Sequence, residues 1–152
     1  MEEPEILIVK ISMEKVVDHE LELDNLGHWL LLKMNHYGLP LFLIHYPEEI
    51  HAFLRGAIPV GLEVNLPPGI PQDVYPGKKQ KRIDLLFLKG DIYYLVEVKS
   101  RKPTTKDKGQ LKEYMKRLPE FTKRQVFPIM VYPDEQPDIA LFSWLNKQRR
   151  ES

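Results

Sequence analysis

One stretch constrains this chain more than any other: RIDLLFLKGDIYYLVEVKS, residues 82–100, where two apolar runs are separated by Gly90-Asp91. A Gly-Asp pair between apolar runs suits a two-residue hairpin turn. With that turn, residue 89 faces residue 92, and counting back along both strands sets Asp84 opposite Glu97. Lys99 shares the face of Glu97, because side chains two apart on a strand point the same way. One face of the hairpin, with Ile83, Leu85, Phe87, Ile92, Tyr94, Val96 and Val98, is wholly apolar. The other carries Leu86, Leu88, Tyr93 and Leu95 before it reaches the three charged groups. A sheet apolar on both faces must be covered on both faces. Two acids and a lysine at one end of such a sheet lose water, which is costly unless they pair or bind a cation.

The rest of the chain reads as α and β elements around this hairpin. EILIVKI (5–11) is strand-like, and the rough alternation in VVDHELEL suggests a second strand between residues 13 and 23, so that the chain opens on a hairpin. Residues 25–36 have helical spacing between Asp24 as cap and Gly38 as stop. LPLFLIHY (39–46) reads as a buried strand rather than a helix. Pro47 is a good first helical residue, and Ile50, Phe53 and Leu54 form a stripe, which predicts a short helix over 47–55. GLEVNL begins strand-like and passes into the proline-dense loop PPGIPQDVYPG. Leu111, Met115 and Leu118 predict an amphipathic helix over 107–118, with Gln110 and Tyr114 on a neighbouring face. QVFPIMVYP (125–133) is a strand in which Pro128 argues for an edge or irregular position, and DIALFSWLNKQRR (138–150) a closing helix. The expected fold class is α/β, with a central mixed β-sheet flanked by helices. Residues 1–46 would be an elaboration packed on a core of residues 47–152, in one compact domain of 152 residues.

Composition narrows the chemistry. There is no cysteine, so disulfides, thiolate metal sites and a cysteine nucleophile are excluded, and any metal must take oxygen or imidazole ligands. The five histidines lie scattered in the first half without ligand spacing and are assigned to no site. The opening MEEPEILIVK fits neither a secretory signal nor a membrane span, so a cytoplasmic protein without a membrane partner is expected. The net charge of zero hides an asymmetry. Residues 1–77 hold 4 Lys/Arg against 12 Asp/Glu, and residues 78–152 hold 18 against 10. The second half therefore has the balance of a polyanion-binding surface, although solvated helix faces alone also produce such runs.

Asp84, then Glu97-Val98-Lys99, then Gln110 and Tyr114 on a helix resembles the PD-(D/E)xK nuclease superfamily, in particular its RecB-like and NucS-type branches with a Q-x-x-x-Y element after the ExK strand. The likeness spans about residues 47–132. It implies a restriction-endonuclease-like core and a Mg²⁺- or Mn²⁺-dependent nuclease acting on DNA, single-stranded or branched substrates included, and a homodimer is compatible with cutting two strands. Ile83 stands where the family's name has proline. By this resemblance Asp84 and Glu97 are metal ligands, joined by the carbonyl of Val98, and Lys99 orients the attacking water or stabilises the pentavalent phosphorus. Hard oxygen donors suit Mg²⁺, which keeps several waters in near-octahedral geometry. Gln110 and Tyr114 would position the metal shell or the substrate backbone.

The family often adds an acid from a helix before the sheet, for which Glu49 is favoured over Glu48 because it borders the Ile50, Phe53 and Leu54 stripe; Glu22 and Asp24 remain alternatives. Lys78, Lys79, Lys81 and Arg82 on one side of the acids, and Arg101, Lys102, Lys106 and Lys108 on the other, are candidate phosphate contacts.

Each element of this pattern has a plainer explanation. An isolated E-x-K is most often a cross-strand ion pair, but here its neighbours Leu86, Leu88, Tyr93 and Leu95 are apolar, where lone pairs are rare. Two further functions stay open: an inactive nucleic-acid-binding module with a nuclease-like fold, and a protein-interaction domain.

Overall fold

The hairpin forms on the expected register. Lys89 pairs with Ile92, and the ladder runs back through Leu88↔Tyr93, Phe87↔Tyr94 and Leu86↔Leu95 to Leu85↔Val96. Gly90 supplies the turn with φ 59°, a value that costs an L side chain energy and glycine little. The computed structural model describes residues 5–18, 38–65 and 82–135. Its elements are β1 (Leu7–Ile11), α1 (Met13–Asp18), α2 (Gly38–His45), β2 (Ile58–Asn65), β3 (Arg82–Lys89), β4 (Ile92–Val98), α3 (Thr105–Arg117) and β5 (Gln125–Pro133), with 3₁₀ turns at Pro47–Glu49, Ala52–Leu54 and Leu118–Glu120.

The strands form one mixed sheet in the order β1-β5-β4-β3-β2. β2, β3 and β4 are antiparallel neighbours, and β5 lies parallel to both β4 and β1. The fold is α/β. One face buries Leu85, Phe87, Val96, Ile129 and Val131 under Met13 and Val16 of α1 and Phe42 and Leu43 of α2. The opposite face buries Leu95 and Met130 under Leu111, Tyr114 and Met115 of α3 and Leu118 just beyond it. Both faces are thus covered, as their apolar composition requires. Among the described residues no helix is long and apolar enough to cross a membrane.

Several local expectations fail, each for an identifiable reason. Residues 13–18 are helical where the alternation predicts strand, and β1 pairs with β5; residues 19–23 of the expected strand lie outside the described residues. Ser12 Oγ accepts the Lys15 N–H at 3.3 Å, and Met13 and Val16, three apart, bury together, so local capping and a helical stripe override the alternation downstream. Residues 38–45 are also helix rather than strand, and Gly38 is the first residue of that helix. A short segment buried on nearly every side has no period to read, and Pro40 falls in the first turn, where its missing N–H has no helical partner to lose.

The single helix expected over 47–55 is two 3₁₀ turns. His51 interrupts them in an extended conformation, φ −162° and ψ 145°, with its Nδ1 accepting the Phe53 N–H at 3.3 Å. β5, for which Pro128 predicts an edge or irregular position, is interior. The Lys99 N–H donates to the Val131 carbonyl at 2.8 Å, so the odd residues of β5 address β4. Pro128 therefore turns its donorless nitrogen toward β1, whose register begins only at Leu7↔Ile129. Ile83 packs with α3 rather than on the face of Leu85 and Phe87, while the β2·β3 register runs unbroken from Gly61↔Leu86 to Asn65↔Arg82. The described sheet has β1 at one edge and β2 at the other; the β2 register shifts between Pro59 and Gly61, and Ile58, Val60 and Leu62 on it are exposed. The expected helices over 25–36 and 138–150 and the loop over 67–77 lie outside the described residues.

Candidate functional site

The site begins where the β3·β4 ladder ends. The register stops at Leu85↔Val96, one step short of Asp84 and Glu97. In a regular antiparallel ladder the Val98 N–H would bond the backbone of residue 83. Here it donates instead to the Asp84 carboxylate, Oδ2 accepting at 2.8 Å. A residue in a strand points its N–H and C=O to the same side, so the Val98 carbonyl also turns toward β3, past the last paired residues. That bond holds the Asp84 carboxylate against the strand that carries Glu97.

β4 continues to pair with β5 through Glu97↔Met130 and Val98↔Val131, and Lys99 is tied by its own N–H to Val131. Glu97 is 5% exposed and is the one buried charged residue among those described. It follows Leu95 by two positions and so faces α3. Carboxylates are rarely buried to this degree unless charge or hydrogen bonds hold them. Asp84 is half-buried beside it.

Lys99 points to the same face and meets a partner that spacing alone did not single out. Its Nζ lies 3.8 Å from Oδ1 of Asp107, in the first turn of α3. Oδ2 of Asp107 accepts the Thr104 N–H at 2.9 Å, and the Thr104 hydroxyl accepts the Asp107 N–H at 3.2 Å, a reciprocal capping box. The guanidinium of Arg101 stands 3.4 Å from the same Oδ2. The pattern T-x-x-D at 104–107 was the available signal for this helix start. Its link to Lys99 depends on the path of the intervening loop. Replacing Thr104 with Ala should cost about 1 kcal/mol of stability, measurable by urea denaturation.

Partial burial alone would raise the Asp107 carboxyl, but the Thr104 backbone N–H, Lys99 and Arg101 outweigh it and hold the group below its ordinary value of 3.8. A depressed acid stabilises the fold fully above the unfolded value, and that contribution disappears as pH falls through the lower folded value. Asp107→Asn should accordingly flatten the loss of stability below about pH 3.8. Urea midpoints recorded against pH for both proteins check this.

Along α3, Asp107, Gln110 and Tyr114 fall at i, i+3 and i+7 on one stripe. Gln110 is half-buried, and Tyr114 is buried in the cluster that contains Leu95 and Ile83. Asp84, Glu97 and Lys99 thus gather at one end of the sheet, with the stripe of α3 on the same face. Glu49 ends a 3₁₀ turn and lines a pocket with Lys10, Ser12, Lys15 and Phe42 on the side of β1 and α1. Glu48 is half-buried as well. Among the described residues no three or more His, Asp or Glu side chains cluster as a metal cage.

Of the candidate phosphate contacts, Arg101, Lys102 and Lys106 are exposed and Lys108 is half-buried, around the start of α3. Lys78, Lys79 and Lys81 lie outside the described residues, and Arg82 opens β3. The oxygen donors present, Asp84, Glu97 and the Val98 carbonyl, match a hard divalent cation that takes its remaining ligands from water or substrate. Comparison of this chain with family models, with characterised proteins and with solved structures finds no match.

Proposed function

We propose that this chain is a metal-dependent nuclease that hydrolyses DNA phosphodiester bonds, with a restriction-endonuclease-like core. The observation that carries the reading is the break in the ladder: the Asp84 carboxylate turns onto the Val98 N–H beside the buried Glu97. A sheet that only needed stability would complete the ladder and fill the Glu97 position with an apolar side chain. The order Asp84, Glu97-Val98-Lys99, Gln110 and Tyr114 adds the resemblance to the PD-(D/E)xK superfamily, and the excess of cations in residues 78–152 suits a polyanionic substrate.

In this reading Asp84, Glu97 and the Val98 carbonyl would hold Mg²⁺ or Mn²⁺, which would supply activation of a water and offset charge on the phosphate. Lys99 orients that water and stabilises the charge that builds on the nonbridging oxygens. Buried Tyr114 fixes the face of α3, and Gln110 beside it positions the substrate backbone. Arg101, Lys102, Lys106 and Lys108 hold flanking phosphates, contacts that give affinity without sequence preference.

Lys99→Ala tests the reading. Cleavage of labelled DNA should fall at least about 100-fold, while DNA binding persists and weakens with added salt. Salt-sensitive binding by the wild type without any cutting would favour an inactive nucleic-acid-binding module. Absence of binding to any nucleic acid would point to a protein-interaction domain.

A further inference from the structure

We propose that Asp107 is a positioning residue that holds the Lys99 ammonium at the Glu97 end of β4 and couples that strand to the start of α3. The proposal rests on the nuclease reading for its catalytic consequence, and on geometry alone for the coupling.

The two oxygens of Asp107 have different tasks. Oδ2 closes the capping box on the Thr104 N–H at 2.9 Å and receives Arg101 at 3.4 Å. Oδ1 faces Lys99 at 3.8 Å. A capping box requires only one carboxylate oxygen at this position; the direction of the second is set by what else the helix start must meet. Lys99 is anchored at its backbone by the bond to Val131, and its side chain is 23% exposed. A long, flexible lysine in that setting has many rotamers. An anion fixed by its own cap, itself 14% exposed, selects among them.

The separation of 3.8 Å is an electrostatic tether rather than a short hydrogen bond. It steers the ammonium while leaving its donors available to water or phosphate. The plainer account is a helix cap that happens to lie near two cations. The two accounts differ in what a neutral, cap-competent side chain does. Asparagine keeps an oxygen for the Thr104 N–H and removes the charge. Glutamate keeps both the charge and a capping oxygen at this helix position.

The experiment compares wild type, Asp107→Asn, Asp107→Glu and Thr104→Ala. Steady-state cleavage of labelled DNA in Mg²⁺ is measured together with the side-chain ammonium NMR signal of Lys99, assigned by its loss in Lys99→Ala. Asp107→Asn should lower kcat about 10-fold with KM within about twofold. Asp107→Glu should restore most of kcat. Thr104→Ala should lose stability and keep kcat. The Lys99 signal should keep its wild-type chemical shift in Asp107→Glu and move in Asp107→Asn.

Wild-type kcat in Asp107→Asn, or an equal loss in Thr104→Ala, overturns the positioning role. An unchanged Lys99 signal in Asp107→Asn overturns the tether itself. A wild type that cuts no DNA refutes the nuclease reading and the catalytic consequence, and the NMR comparison still decides whether Asp107 holds Lys99.

Discussion

Glu97→Gln should reduce Mg²⁺-dependent DNA cleavage by about 100-fold or more, and leave the fold in place. Glutamine matches glutamate in shape and retains a hydrogen-bonding oxygen, so the packing around this 5% exposed position changes little. It loses the negative charge that a hard cation requires. The neighbouring backbone pairs, Glu97↔Met130 and Val98↔Val131, do not involve the side chain and should persist. Circular dichroism and a urea midpoint near that of the wild type are therefore expected beside the lost activity. A Glu97→Gln protein that cuts at the wild-type rate would remove Glu97 from the chemistry.

The largest effect on stability is expected at Phe87. Its side chain is fully buried on β3, between β2 and β4, on the face with Leu85, Val96, Ile129 and Val131 that α1 and α2 cover. Truncation to alanine removes a ring from both transfer and packing and leaves a void that neighbouring strands cannot close. Phe87→Ala should cost about 3–5 kcal/mol, read as the difference in unfolding free energy from urea titrations. A cost below about 1 kcal/mol would match an exposed position and would contradict this placement of β3. Val60→Ala offers the contrast. Val60 is 49% exposed on the edge strand, and its replacement should stay within about 0.5 kcal/mol.

The legible parts of the chain were those in which a local rule fixes a nonlocal fact. Gly90-Asp91 sets a turn, the turn sets a register, and the register brings Asp84 to the strand of Glu97. The helix of Gln110 and Tyr114 was readable because Leu111, Met115 and Leu118 repeat at helical spacing. The α/β class followed from a hairpin apolar on both faces.

What was not legible depended on tertiary context. The run around Phe42 and Leu43 packs as helix with almost no polar residues to mark a period. Pro128 excludes a donor on one side of β5, and only the late start of the β1 register makes that harmless in an interior strand. His51 breaks a helical stripe by bonding its own downstream backbone. Within the site, the hairpin count gave the neighbourhood of Asp84 but not its role as acceptor for the Val98 N–H, which appears only once the ladder ends early. Asp107 was hidden for a similar reason. It stands eight residues from Lys99, a separation that implies contact only when the loop through Thr104 returns the chain to the same face.

The central claim is that Asp84 and Glu97 together support divalent-cation-dependent cutting of DNA. Its most direct test is cleavage of labelled single-stranded, double-stranded and branched DNA by the wild type, with Mg²⁺ or Mn²⁺ and with chelator, beside Asp84→Asn at matched folding. Cutting of at least one substrate that requires the cation and is lost in Asp84→Asn is the predicted result. No cutting of any substrate with either cation, or cutting that survives both chelator and Asp84→Asn, would contradict it.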